Sequence, residues 1–146
     1  ATREDLSMQG IKRYLRERPE EIREILNHNE SYVFFRTVEE GPVGSIGVAL
    51  TGGRSIATDP AVFPRGALAF VKTRKPAIGP GGEIRSWVPL TRFVLNQDTG
   101  GAITGAGRVD LFFGRGREAE IAAGHLKEEG ELYFLVVKDG KRPKAR

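Results

Sequence analysis

The chain has no cysteine, one tryptophan, one methionine and only two histidines, and no apolar run approaches the roughly 18 residues needed to span a membrane as a helix. Without cysteine there can be no disulfide, no thiolate metal site and no cysteine nucleophile, although the count is compatible with either a reducing or an oxidising compartment. His28 and His125 each stand alone near a predicted helix end, so no metal cluster can be assembled around them and neither a metal nor a cofactor is expected. No serine sits in a GxSxG context, which leaves a serine triad without local support. The glycine-rich run from Gly41 to Gly53 lacks the spacing of a phosphate loop and precedes no helix. The first residues, Ala1 to Asp5, form neither a charged-then-apolar signal nor a lipidation site, so the expectation is a cytoplasmic protein or one whose export segment lies outside this chain.

Charge adds little. The net charge of +4 is diffuse, and basic residues concentrate only between Lys138 and Arg146, which reads as a solvated, frayed end. Basic residues are not interleaved with aromatics along one predicted face, which argues against nucleic acid as a partner.

Ser7 to Asn27 is the one long helical stretch, with Met8, Ile11, Leu15, Ile22, Ile25 and Leu26 at helical spacing. Pro19 followed by Glu20 and Glu21 suits a helix start, so two short helices should meet near Arg18. Beyond it the period changes to two. Strands are predicted at Tyr32 to Phe35, Ala67 to Lys72, Ser86 to Leu90, Arg92 to Leu95, Val109 to Phe113 and Glu131 to Val137, separated by glycine and proline. Gly79 to Gly82 reads as a hairpin tip, and Arg117 to Leu126 as a last short helix. The expected class is mainly β, a small barrel or sandwich preceded by short helices. Frequent glycine between the strands favours tightly crossed backbones.

With other nucleophiles and metals set aside, carboxylates are what is left for chemistry. In the segment from Asn96 to Gly114 one strand ends at Asp98, a glycine-rich excursion follows, and Asp110 opens the next strand. Such an excursion can fold both acids toward one place. Thr99, Gly100 and Gly101 offer a hydroxyl and unobstructed amides to the Asp98 carboxylate, which would keep it ionised. Asp110 lies between Val109 and Leu111 with Phe112 and Phe113 beyond, so desolvation and the neighbouring negative charge would oppose its ionisation. Two acids whose surroundings push them apart suit the roles of proton donor and charge stabiliser at a glycosidic bond. The alternative for both is a turn acid beside glycine, and Asp59, in Thr58-Asp59-Pro60, looks like a turn initiator that braces the same site.

The order and spacing of Tyr32-Val33-Phe34-Phe35-Arg36, Gly41-Pro42-Val43-Gly44-Ser45-Ile46-Gly47-Val48, Gly53-Arg54-Ser55-Ile56-Ala57-Thr58-Asp59-Pro60, Gln97-Asp98-Thr99-Gly100-Gly101-Ala102-Ile103 and Asp110-Leu111-Phe112-Phe113-Gly114-Arg115-Gly116 resemble the C-terminal part of MltA-type lytic murein transglycosylases. The similarity runs from about Leu6 to Val137, and the three aspartates that give the 3D domain its name match Asp59, Asp98 and Asp110. The resemblance implies a double-psi β-barrel, placed at residues 29–138, while the residues themselves give a helical lead-in at 1–28 and a basic tail at 139–146 expected to be disordered. It also implies cleavage of the β-1,4 bond between N-acetylmuramic acid (MurNAc) and N-acetylglucosamine (GlcNAc) in peptidoglycan, with a 1,6-anhydro product. Asp110 would be the catalytic acid and then base, Asp98 its close partner, Thr99, Gly100 and Gly101 substrate contacts, and Asp59 a support. The implied location is the cell envelope, on the outer membrane facing the periplasm. Complete family members are much longer and carry, before this region, part of the barrel and a second domain that walls the glycan groove. The expected partners are therefore glycan strands and that missing portion.

Two other readings compete. A noncatalytic glycan-binding barrel would use Trp87, Tyr32 or Phe113 as a sugar platform. A retropepsin-like aspartic protease is suggested by Asp98-Thr99-Gly100 and a later Phe112-Phe113-Gly114-Arg115, but Asn96 and Gln97 replace the apolar pair expected before its aspartate.

Overall fold

Apolar residues at helical spacing, interrupted by a proline that is tolerated only in a first turn, give the N-terminal helices. In the computed structural model, which describes residues 8–34, 37–39 and 41–138, α1 is Met8–Glu17 and α2 is Ile22–Asn27, joined by the 3-10 turn Pro19–Glu21. The helices meet at Arg18 as expected, and Arg18 stacks over the Tyr14 ring at 4.3 Å while Tyr14 donates to Glu21 at 2.8 Å. The chain divides into two compact units, residues 1–37 and 38–146. In the first, Tyr32, Val33 and Phe34 form no strand and are exposed, contrary to the expectation of one from Tyr32 to Phe35; Phe35 lies outside the described residues. With no paired strand beside them, their β propensity has nothing to act on. The basic tail from 139 to 146 also lies outside the described residues.

The second unit is one sheet. Its strands are β1 (Ser55–Ala57), β2 (Leu68–Ile78), β3 (Ile84–Asp98), β4 (Asp110–Leu111) and β5 (Glu131–Phe134), in the order β4-β1-β3-β2-β5. Helix α3 (Arg117–His125) precedes β5. β1 runs parallel to β3, and the other pairs are antiparallel. The β2–β3 hairpin turns at Gly79–Glu83, where Gly79 accepts from Gly82 and donates to Glu83. The two strands expected at Ser86–Leu90 and Arg92–Leu95 are one strand of 15 residues that contains Pro89. Proline is admitted there because β5 pairs only with Ala69–Lys72 and β1 only with Leu95–Asp98, so Pro89 and Pro76 sit where the hairpin is a two-stranded ribbon with free edges.

Alternation along the strands sorts the faces. Ile56, Ala69, Val71 and Val94 form the buried centre, with Val109, Leu111, Leu132 and Phe134 packed against it. Phe134 stacks on Phe63 at 4.8 Å. The opposite face carries Leu68, Phe93, Leu95 and Tyr133, which are exposed, and the Phe70–Phe93 ring pair. β4 and β5 are the two edges, so the described residues form an open sheet and not the closed barrel expected. Closure requires both edge strands to find further partners. Here β4 pairs only with β1, and β5 only with β2.

Neighbouring β3 positions should therefore respond differently to truncation. Val94→Ala removes two buried methyl groups and should cost about 2 kcal/mol, whereas Leu95→Ala on the opposite face should cost less than about 1 kcal/mol. Urea midpoints compare the two directly, and equal losses would contradict the assignment of the core face.

Candidate active site

β1 brings the two acids together. Ala57 pairs with Asp98 of β3 on one side and with Asp110 of β4 on the other, so the carboxylates stand in one row across three strands, with about 10 Å between their Cα atoms at two strand spacings. Directly paired residues share a face. A bulge makes this possible: Ile56 pairs with Asn96 but Ala57 with Asp98, which leaves Gln97 as the extra residue. Without it Asp98 would follow Val94 and Asn96 onto the core face; the bulge re-aims it toward the row of Asp110. Asp98 and Asp110 border a common cleft of about 220 Å³, together with Ala57, Thr99 and Ile103. A wider, more open depression of about 720 Å³, lined by Phe113, Arg117 and Glu120 among others, shares Leu111 and Phe112 with it.

The setting of Asp110 differs from the expectation. Its apolar neighbours Val109 and Leu111 point into the core, because alternate strand residues face opposite ways, and Asp110 itself projects outward with its side chain 47% exposed. Val109 and Leu111 therefore do not enclose the carboxylate. Instead the Arg108 guanidinium grips both carboxylate oxygens, Nε to Oδ1 at 2.9 Å and Nη2 to Oδ2 at 3.0 Å. The pairing raises the Arg108 pKa further above its ordinary value, through the hydrogen bond and then the charge of Asp110.

Asp98 is also held by a group that its neighbours did not suggest. Its Oδ1 accepts the backbone N–H of Ser45 at 3.0 Å, in place of the expected amides at Thr99, Gly100 and Gly101. Ser45 is delivered by a tight turn in which Gly44 donates to Val48, Gly47 donates to Gly44, and Val43 bridges to Ala49. A Cβ on Gly44 would overlap the Gln97 carbonyl oxygen, so glycine is required for the turn to lie on the bulge. Of the three proposed substrate contacts, Thr99 borders the cleft, Gly100 accepts from the Ile103 amide at 2.9 Å, and Gly101 is exposed.

Asp59 braces the loop between the two acids. Its Oδ2 accepts the Gly105 amide at 2.6 Å and its Oδ1 accepts the Ala61 amide at 2.8 Å, and these two bonds, the Gly105 one foremost, lower its pKa. Beneath the row, Thr58 donates from Oγ1 to Asn96 Oδ1 at 3.0 Å, and Asn96 donates to the Pro64 carbonyl at 2.8 Å. Ser55 donates to Gln97 and accepts the Thr51 amide. Ser55, Thr58 and Asn96 are all buried, and their mutual satisfaction is what makes such burial tolerable. Among the described residues no group of His, Asp and Glu is arranged to hold a metal ion, and His125 contacts the Ile121 carbonyl of its own helix at 2.8 Å.

Residues 54–136 match the model of the 3D domain, and residues 1–36 match that of the MltA specific insert domain. The chain is 34% identical over 140 residues to membrane-bound lytic murein transglycosylase A of Escherichia coli K12, covering 94% of this chain and 37% of that protein. The corresponding protein of Vibrio cholerae is 33% identical over 91% of this chain and 36% of its own length. The chain thus spans a little over a third of the length of these relatives. Among solved structures, MltA from Neisseria gonorrhoeae superposes with a TM-score of 0.73 at 41% identity, over 96% of this chain and 34% of that one. E. coli MltA with bound chitohexaose superposes with a TM-score of 0.69 at 29% identity, over 89% of this chain and 39% of that one.

The Asp59 brace makes the loop sensitive to acid. A carboxylate whose folded pKa is lowered contributes stability that is present above its unfolded value, near pH 4, and lost as pH falls through the lower folded value. Protection of the Gly105 amide, its exchange rate compared with that of an unstructured amide at the same pH, should therefore persist at neutral pH and fall below about pH 4. In Asp59→Ala protection should be lost throughout. Protection in that variant equal to the parent's would mean that another contact holds the loop.

Proposed function

Because the chain belongs to the MltA family through its 3D domain, we propose that it forms the acid-bearing part of a lytic murein transglycosylase that cuts the MurNAc–GlcNAc bond of peptidoglycan. The observation that carries the reading is the single row Asp98–Ala57–Asp110 on one cleft, with Asp59 tying down the loop between the two acids. These are the three aspartates that match the domain's name. The glycan seen in the E. coli relative adds support for a saccharide ligand.

In this reading Asp110 donates a proton to the glycosidic oxygen as the bond from the MurNAc C1 breaks and positive charge builds at that carbon. The resulting carboxylate then takes the proton of the sugar's own C6 hydroxyl, whose oxygen bonds to C1 to give the 1,6-anhydro ring. No water is consumed, and Asp110 ends the cycle protonated. Asp98, anchored by Ser45, is the negative partner that faces the cationic centre or fixes Asp110. Thr99 is the substrate contact best placed on the cleft; Gly100 and Gly101 shape the turn behind it.

The small cleft is below the roughly 300–1,000 Å³ of ordinary ligand pockets, whereas a glycan strand is long. The joined depression gives it a path across β4 toward α3. A double-psi barrel needs both sheet edges paired, and the strands that pair β4 and β5 are assigned here to the length of the relatives that this chain does not span. That same portion would wall the groove. The relatives' membrane-bound names support a location in the cell envelope, and the outer membrane facing the periplasm is part of the proposal. Among the described residues no helix is long and apolar enough to cross a membrane.

Mass spectrometry of digested peptidoglycan tests the reading. The complete protein, with the portion that walls the groove, should release fragments ending in 1,6-anhydroMurNAc, and Asp110→Asn should lower that release by about 10³-fold. Reducing ends would indicate hydrolysis instead. Retention on insoluble peptidoglycan without released fragments would favour a binding barrel.

A further inference from the structure

Arg108 and Asp110 are two residues apart on extended chain, so both side chains leave the same face while Val109 between them packs into the core. All three nitrogens of the Arg108 guanidinium are engaged: Nε and Nη2 on the two Asp110 oxygens, and Nη1 on the Ala102 carbonyl at 2.8 Å. Ala102 belongs to the loop that Asp59 holds through Gly105 and that the buried Ile103 pins. The guanidinium is thus a strut between the carboxyl group and a loop anchored elsewhere. The cleft lining contains no charged group besides Asp98 and Asp110, and of these two Arg108 directly contacts Asp110.

We infer that Arg108 is a positioning residue that fixes the plane of the Asp110 carboxyl group for proton transfer. The inference rests on Asp110 being the acid. An aspartate carboxyl turns easily about χ2, since that torsion has only a broad, two-fold preference. A side-on fork removes this freedom, because it occupies one lone-pair direction on each oxygen and leaves one on each open. Protonation is compatible with the fork, as the hydroxyl and carbonyl oxygens of the acid each keep a lone pair for it. When the proton passes to the glycosidic oxygen, the fork already faces the new carboxylate and nothing need reorganise. When the C6 hydroxyl proton returns, the accepting lone pair has stayed in place. Arg108 touches Asp110 and the loop, and no part of the cleft where a sugar would lie is lined by it. Its loss should fall on turnover and spare binding.

The test is steady-state kinetics of the complete protein, including the portion that walls the groove, on a soluble oligomer of alternating MurNAc and GlcNAc, comparing Arg108→Ala, Arg108→Lys and Asp110→Asn. Arg108→Ala should lower kcat by about 100-fold, the scale of a mispositioned catalytic group, with KM within about twofold of the parent. Added guanidinium ion should recover at least about tenfold of that loss at concentrations that leave the parent unchanged, because it restores the fork. Arg108→Lys should recover little, since one ammonium cannot span two carboxylate oxygens and the Ala102 carbonyl. The half-exposed pair contributes little to folding, so melting should shift by no more than a few degrees. Parental kcat in Arg108→Ala, a defect confined to KM, or no response to guanidinium would overturn the inference while an inactive Asp110→Asn left the acid assignment standing. Parental turnover in Asp110→Asn, or none in the unsubstituted complete protein, would overturn the proposed function and this inference together.

Discussion

A strand of three residues, Ser55–Ala57, supplies the constraint on which the rest of the site depends. It is bonded to β3 on one side and β4 on the other, and its last residue is the common partner of Asp98 and Asp110. The bonds Gly53 to Phe112 and Phe112 to Ser55 extend the β4 side, and Leu95 to Arg54 extends the β3 side. Its burial is complete on the core side at Ile56 and on the polar side at Ser55. So short a strand would have little stability alone. It is held because Ile56 fills the centre of the hydrophobic cluster and Ser55 is paired at both ends of its hydroxyl.

The bulge at Gln97 converts that scaffold into a site. A regular ladder would have buried Asp98 beside Val94 and Asn96, leaving a carboxylate on an apolar face at a cost of several kcal/mol or more. Inserting one residue turns the acid outward and exposes the Gln97 carbonyl, against which Gly44 is pressed. The same close approach carries the Ser45 amide to Asp98. Backbone geometry, hydrogen bonding and the position of the acid are therefore one structural event, which is why a glycine 53 residues before Gln97 belongs to the site.

Much of this was legible in the residues themselves. Pro19 with its following acids located the helix junction, the Gly79–Gly82 run located the hairpin tip, and the alanine-rich segment from Arg117 located α3. The three aspartates were identifiable by spacing and resemblance. What escaped was information of longer range. The strand expected to end at Leu90 continues through Thr91 because its ladder with β2 runs unbroken from Trp87 to Leu95, and that pairing lies in a distant part of the sequence. The immediate neighbours of Asp110 suggest an apolar setting, but alternation places them on the other face, so the relevant contact is two residues back, at Arg108. That signal was present in Arg108-Val109-Asp110, where period two puts the charges together. Ser45 carried no such signal, because only the bulge brings it near Asp98.

These features bear on the proposed mechanism, in which Asp110 serves twice. A group that first gives and then takes a proton must keep its orientation across two charge states, so mobility is penalised at both steps. Here Asp110 stands at the start of a strand whose next residue, Leu111, packs against the core, and it is gripped by a cation whose third nitrogen is fastened to the loop. The loop is fastened in turn by Asp59 at Gly105 and by Ile103 in the interior. Rigidity reaches the carboxyl group from both sides without burying it. On that proposal the carboxyl group is half exposed, open to a long glycan, and still held from both sides.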